Sequence, residues 1–376
     1  MKIVYITKAR LPTEKAHGYQ ICKMCEEFSN RGVEIELWAP ERGNDIKADI
    51  FSFYGLNNNF KIKKIKSFDF FRYWRYLGKA SFWLQGFSLG LKLLFTPADK
   101  EAIIYTRDPE IGWIFSLRGY RTVFEAHSWP ESKTWLYKLL IKRTKIVTIT
   151  RSLGELLVQA GLENNNILVV PDGVDLNEFD IDLSKETARK KLNLPLDKKI
   201  ALYAGHLYDW KGAGDLAEAA GLLDNKSLVT FVGGVEADAK IFSEKNKKLI
   251  DLGKIVLYRH QPHNLIPIWL KAADVLILPN KSQDKISRYY TSPLKLFEYL
   301  ASRRPIVAAD LPSIREVLDE NNCLFFQSDN PADLADKIKI VFNSNGLAEK
   351  IAEQAYRDAK KYTWEKRAEK IVEFIK

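Results

Sequence analysis

Cysteine is scarce in this chain of 376 residues, with three in all, and Cys22 and Cys25 have no second ligand pair nearby. That excludes a disulfide-built scaffold and disfavours a zinc site. With no secretory leader in view, a reducing compartment is expected. Apolar runs are short. The one near Phe82–Phe95 covers about 14 residues and includes Lys92, against the roughly 20 that a spanning helix needs. No Gly-x-Gly-x-x-Gly fingerprint follows the first predicted strand, which disfavours a dinucleotide cofactor there. Low-complexity tracts and short tandem repeats are absent. Acidic residues nearly vanish between positions 61 and 95, where eight Lys or Arg stand against Asp69 alone. An anionic partner or surface is the expected counterpart of that asymmetry.

What is present is an alternation of short apolar runs with helix-forming segments. Lys2–Thr7 and Val33–Ala39 flank a helix whose apolar positions include Ile21, Met24, Cys25 and Phe28, a βαβ unit. Further buried strands are predicted at 102–106, 122–125, 145–149 and 168–170. The turn Pro171-Asp172-Gly173-Val174-Asp175 and the charged stretch 177–199 then mark a boundary. After it the alternation restarts, with strands predicted at 200–204, 229–232, 255–258, 275–278, 306–308 and 324–326. The length favours two domains. The expected fold class is α/β, with two doubly wound, Rossmann-like domains facing each other across a cleft. Their expected spans are 1–180 and 181–360, with a terminal helix over 361–376.

In open α/β sheets ligands bind outside the carboxyl ends of the strands, so polar and glycine-bearing loops there are the candidate site. The first half offers Gly18, Arg107-Asp108 and Ala126-His127-Ser128. Gly18 either admits a ligand to the backbone or is an ordinary loop-to-helix glycine. His127 is either a hydrogen-bonded loop residue or a catalyst. The second half offers Gly205-His206 with Lys211-Gly212, then Gly233-Gly234 and His260-Gln261-Pro262. Its most informative stretch is Ser292–Ala301. Thr291 and Ser292 are the predicted helix caps and Pro293 fits the first turn. Free backbone N–H groups and the positive end of the helix dipole then make an anion site, best suited to phosphate. Lys295 adds a cation there, and the Glu298 carboxylate can accept two hydrogen bonds at once, which suits a ribose diol. The plain alternative is a capped helix with a surface Lys–Glu pair. Asp274 is expected to be structural.

Together these segments resemble the family-4 retaining glycosyltransferases of the GT-B fold. The resemblance is most specific in Thr291–Pro305, in Tyr203–Gly212 (Tyr-Ala-Gly-His-Leu-Tyr-Asp-Trp-Lys-Gly) and in Ala272-Ala273-Asp274-Val275. Pro171–Asp175 and Arg315-Glu316-Val317 also fit, and so does a terminal helix opening on Trp364-Glu365, of the kind that crosses back to the first domain. The resemblance implies a hexosyltransferase-type enzyme (EC 2.4) that moves a sugar, with retention, from a nucleoside diphosphate sugar to an acceptor. No metal and no other cofactor is implied. It puts the ribose on Glu298 and the diphosphate on the backbone of Ser292, Pro293 and Leu294, with Lys295 beside it. Lys211 would neutralise the leaving phosphate, where charge develops. Gly18, Gly205, His206, Gly234, His260 and Tyr290 would surround the donor, and His127 would face the reacting sugar. Two departures stand out. Tyr290 occupies a position where many members carry Glu, and His206 one where many carry Arg, so part of the phosphate charge is neutral or pH-dependent. Other readings are a GT-B epimerase, a non-catalytic sugar-nucleotide sensor and a basic nucleic-acid binder. The first lacks a visible acid/base set in the first domain, and the last lacks any RNA or DNA module pattern. No nucleic-acid partner is expected.

Residues 61–95 are expected to dock on an anionic membrane. Phe70, Trp74, Leu77, Leu84 and Leu91 recur near a helical period beside Arg72, Arg75 and Lys79. The alternative is a helix packed on the first domain's sheet with its cations solvated. Docking would suit a lipid-linked or cell-surface glycan acceptor in polysaccharide biosynthesis. The expected location is cytoplasmic and peripheral, at the inner face of the membrane.

Overall fold

The computed structural model describes residues 1–130, 132 and 134–376, with the Trp74 side chain outside the described set. The chain forms two compact units, Met1–Pro171 with Trp364–Lys376, and Asp172–Thr363. Each is built on one sheet of parallel strands.

The first sheet has seven strands: β1 (Lys2–Ile6), β2 (Glu34–Pro40), β3 (Lys61–Ile65), β4 (Ile103–Thr106), β5 (Thr122–Ala126), β6 (Lys145–Thr148) and β7 (Ile167–Val169). They lie in the order β3-β2-β1-β4-β5-β6-β7. The second sheet has six: β8 (Lys199–Ala204), β9 (Ser227–Val232), β10 (Ile255–Tyr258), β11 (Val275–Leu278), β12 (Ile306–Ala309) and β13 (Leu324–Phe326). Their order is β10-β9-β8-β11-β12-β13. The direction of winding reverses between β1 and β4 and between β8 and β11, which makes those the two topological switch points. The central strands carry almost unbroken apolar runs, as strands covered on both faces must. Val275, Leu276, Ile277 and Leu278 are all fully buried.

The terminal helix Trp364–Ile375 belongs to the first unit and buries Trp364, Arg367, Ala368, Ile371, Val372 and Ile375 along one face. Cys22 and Cys25 are buried within the helix Ala16–Asn30, as packing thiols.

The basic segment departs from a single amphipathic helix. Lys61–Ile65 is an edge strand paired in parallel with β2. Its lysines are engaged with the fold: Lys63 stands 4.0 Å above the Trp38 ring, and Lys64 donates to the Leu11 carbonyl at 3.2 Å. Such cationic edge strands resist pairing with other chains. Phe70–Tyr73 and Trp74–Leu77 are single turns, separate from the helix Ala80–Phe95, so the stripe counted from Phe70 to Leu91 is not continuous.

Candidate functional site

The second unit's switch point is lined by the loop after β8 and the segment after β11. Lys281 N–H donates to the Trp210 carbonyl at 3.1 Å, and the Gly212 α-carbon packs on the Pro279 carbonyl, so the two are tied together. Gly233, at the end of β9, has φ +120°, and a β-carbon on it would meet the Gly205 carbonyl at 2.6 Å. The glycines here let the loops after β8 and β9 touch each other.

Lys211 sits in a single 3₁₀ turn, Asp209–Lys211, with its ammonium 4.2 Å above the Trp210 ring. Burial alone lowers its pKa to about 8. Lys295 lies in the first turn of the helix Leu294–Ala301, 8% exposed, with its ammonium 3.7 Å above the Tyr203 ring. That ammonium has no hydrogen-bond partner among the described residues. Burial, then the charge of Lys211, holds its pKa well below that of an ordinary lysine. The His206 ring stacks on Tyr208 at 4.9 Å, and its Nδ1 is unpartnered among the described residues. Burial, then Lys211 and Lys295, lower its pKa. Three cationic or potentially cationic groups therefore share a neighbourhood in which neither lysine forms an ion pair among the described residues. A surface Lys295–Glu298 pair is ruled out by this burial.

The helix start differs from expectation. Its N-cap is Pro293, which offers no capping side chain. The Ser292 hydroxyl instead accepts a hydrogen bond from Asp172 N–H at 3.1 Å. Proline as the cap leaves the first-turn amides of Leu294 and Lys295 without a side-chain acceptor, which is the arrangement an anion completes. Glu298, one turn on, is half-buried and makes no hydrogen bond among the described residues. Burial raises its pKa and Glu178 adds to the rise, against the opposing charges of His263 and Lys295. Tyr290 ends a short π-helical turn, Ile286–Tyr290, and is half-buried. Gly234 closes the loop after β9 against Leu207, whereas His260 is exposed beyond β10. Asp274 is structural: it accepts from Lys185, Arg189 and the Ile200 amide.

In the first unit, His127 follows β5 and its Nε2 lies 2.6 Å from Glu125 Oε1. Burial, then Arg107, lowers the His127 pKa to about 4. Glu125 is buried; burial pushes its pKa up, but Arg367 and His127 outweigh that and hold it far below the usual carboxylate range. Glu125 and Arg367 went unread in the sequence. The available signals were an acid inside the apolar strand Thr-Val-Phe-Glu-Ala and an arginine on the apolar face of the terminal helix. Gly18 is explained by packing: the Tyr54 hydroxyl and Thr13 methyl fill the space of a β-carbon, and its N–H donates to the Lys15 carbonyl at 2.9 Å.

Residues 184–358 match the family model described as glycosyl transferases group 1. TuaC of Bacillus subtilis (strain 168), a protein named for teichuronic acid biosynthesis, is 24% identical over 245 residues, 64% of this chain and 58% of its own. An N,N'-diacetylbacillosaminyl-diphospho-undecaprenol alpha-1,3-N-acetylgalactosaminyltransferase of Campylobacter jejuni is 26% identical over 234 residues, 60% of this chain and 59% of its own. These matches thus span under two thirds of the relatives' length. HepE of Anabaena, solved with UDP and glucose, superposes with a TM-score of 0.76 at 16% identity, covering 99% of this chain and 98% of that one. The chain has the GT-B fold, and residues 184–358 of its second unit are similar to the glycosyl transferases group 1.

Proposed function

We propose that this protein is a glycosyltransferase that moves a sugar from a nucleoside diphosphate sugar to a glycan or lipid-linked acceptor, with retention of the anomeric configuration. The observation that carries the reading is the pair Lys211, half-buried, and Lys295, buried, two ammonium groups without carboxylate partners among the described residues, beside an uncapped helix start. Buried charges are normally paired. A diphosphate is a partner that would complete the set. The donor's diphosphate is assigned to Lys211, Lys295 and the amides of Leu294 and Lys295, its ribose to Glu298, and His127 to the sugar undergoing transfer. HepE was solved with UDP, so UDP-sugars head the panel of donors to test, ahead of GDP- and ADP-sugars. A bound donor should raise the melting temperature by linkage. Glu298→Ala should weaken that donor by about 10- to 100-fold, the worth of a charged hydrogen bond of about 1.5–3 kcal/mol. Unchanged affinity would remove Glu298 from the ribose. Proton NMR of the product reads the anomeric configuration, and inversion would overturn retention.

The acceptor is proposed to be presented at an anionic membrane surface. The helix Ala80–Phe95 is inverted in polarity: it buries Ser81 and Gln85 along with Leu89 and Leu93, while Trp83, Phe87 and Phe95 are 79%, 71% and 79% exposed. A surface helix ordinarily does the reverse. The helix Thr134–Ile141 packs on the same neighbour, Pro109–Leu117, and exposes Trp135 and Leu139. Arg72, Arg75, Lys79, Lys92, Lys142 and Arg143 flank these apolar side chains, and no acid occurs in 70–95 or 134–143. Basic residues around exposed aromatics suit an anionic headgroup plane. No helix of the described residues is long and apolar enough to cross a membrane. The protein should pellet with anionic liposomes, less so at high salt, and remain free of neutral ones. Arg75, Lys79 and Lys92 changed to Glu should release it. Lys63 and Lys64 are unsuitable for that test, because their side chains are engaged with the fold. Equal pelleting with both liposome types would overturn the docking.

A further inference from the structure

The first unit holds a buried charge cluster that reaches from the terminal helix to His127. Glu125, with a 1% exposed side chain, is bonded three ways. Its Oε1 lies 2.6 Å from His127 Nε2 and 3.1 Å from the Arg367 guanidinium, and its Oε2 accepts from the Tyr105 hydroxyl. Arg367 is itself anchored, donating through Nε to the Pro171 carbonyl at 3.0 Å. We propose that Tyr105, Glu125 and Arg367 are positioning residues that hold His127 as the Nε2–H tautomer, leaving the Nδ1 lone pair to accept a hydrogen bond from a hydroxyl of the ligand.

The chemistry runs through the carboxylate. An ionised Glu125 can only accept hydrogen bonds, so the imidazole nitrogen facing it must carry the proton. A neutral imidazole has one N–H, and with that proton on Nε2 the other nitrogen is an acceptor. Arg367 is what keeps the carboxylate ionised at this depth, because an isolated buried carboxyl would take up a proton. A protonated Glu125 could donate to Nε2 instead and move the imidazole proton to Nδ1. The ligand would then meet a donor where an acceptor had been. Arg107, close enough to disfavour the imidazolium, acts in the same direction as burial. The relay therefore sets which nitrogen is offered and in which state, though Glu125 and Arg367 need not touch substrate.

The role of the offered nitrogen rests on the transferase reading; the tautomer itself does not. Protein carrying ¹⁵N-labelled imidazole, without ligand and near neutral pH, should show His127 protonated at Nε2 and bare at Nδ1. His127→Gln identifies its signals among the five histidines. Glu125→Gln should give a mixed or reversed tautomer and lower kcat by about tenfold, with donor KM little changed. Because that variant leaves Arg367 unneutralised, the double variant Glu125→Gln with Arg367→Met removes the ion pair as a unit and should do the same. An Nδ1–H or imidazolium His127 in the parent protein would overturn the relay. So would variants that keep the parent tautomer, or that lose it with kcat intact. If no donor is ever turned over, the transferase reading fails, while the ligand-free spectra still decide whether the relay exists.

Discussion

Lys295→Met is expected to stabilise the ligand-free protein while crippling its donor binding. Methionine keeps the length and the contact with the Tyr203 ring and removes only the ammonium. Lys295 is 8% exposed, and its ammonium is buried with no hydrogen-bond partner among the described residues. Its position over the ring returns up to about 2 kcal/mol of cation–π attraction. Desolvating an unpaired charge costs several kcal/mol even after relaxation. The balance predicts a gain of about 1–3 kcal/mol in unfolding free energy, or about 2–4 °C in melting temperature per kcal/mol for a unit of this size. With a nucleoside diphosphate sugar present the order should reverse. The parent loses its strain by pairing the ammonium with phosphate, and the variant cannot. Donor affinity should fall by about 10- to 100-fold. Thermal unfolding with and without donor reads both halves. If Lys295→Met destabilises the ligand-free protein, the ammonium has a structural role, and the anion site loses its principal support.

The positions of most strands were open to sequence reasoning because parallel strands buried on both faces read as short apolar runs, as at Val275–Leu278. β3 escaped because Lys-Ile-Lys-Lys-Ile shows only two apolar residues, and an edge strand needs no more. The same five residues then lent their charge to a helix that starts at Ala80. The start of the helix Leu294–Ala301 was legible from its capping pattern, though the cap itself fell one residue later. Ser292 is drawn to the Asp172 amide, a partner 120 positions away that no local pattern announces. Lys295 looked like half of a surface pair, because its depth depends on Tyr203 and on the loop after β8. His127 was visible as an unusual residue after a strand. Its setting was not, since Arg367 reaches Glu125 from 242 positions along the chain. Local chemistry announced the groups, and non-local packing decided their protonation and what each can meet.

Donor affinity should decline on the alkaline side of neutrality, earlier than the ordinary pKa of lysine would suggest. In the ligand-free protein Lys211 titrates at about 8, lowered by burial, and Lys295 is lowered as well. A diphosphate attracts the charged forms only, so its binding raises both pKa values and takes up protons. Linkage then fixes the sign. Well below the ligand-free pKa values of both lysines the affinity is independent of pH. Above each of them the affinity falls, approaching about tenfold per pH unit for each deprotonated lysine that must be recharged. The diphosphate of the donor is a diester and stays fully ionised across this range, so it adds no slope. His206 contributes only in acid, because its pKa already lies below that of an ordinary histidine. The protein's own stability should move the opposite way. A lysine whose folded pKa is depressed costs least when neutral, so the contribution of Lys211 and Lys295 to ligand-free stability is most favourable above the ordinary lysine pKa. It is lost as pH falls through the window down to about 8. Titration calorimetry in buffers of different ionisation heat, at about pH 7 and about pH 9, counts the protons taken up. Lys211→Met should flatten the dependence and lower the affinity at neutral pH. An affinity that stays constant to about pH 10 would mean that neither lysine meets the phosphates.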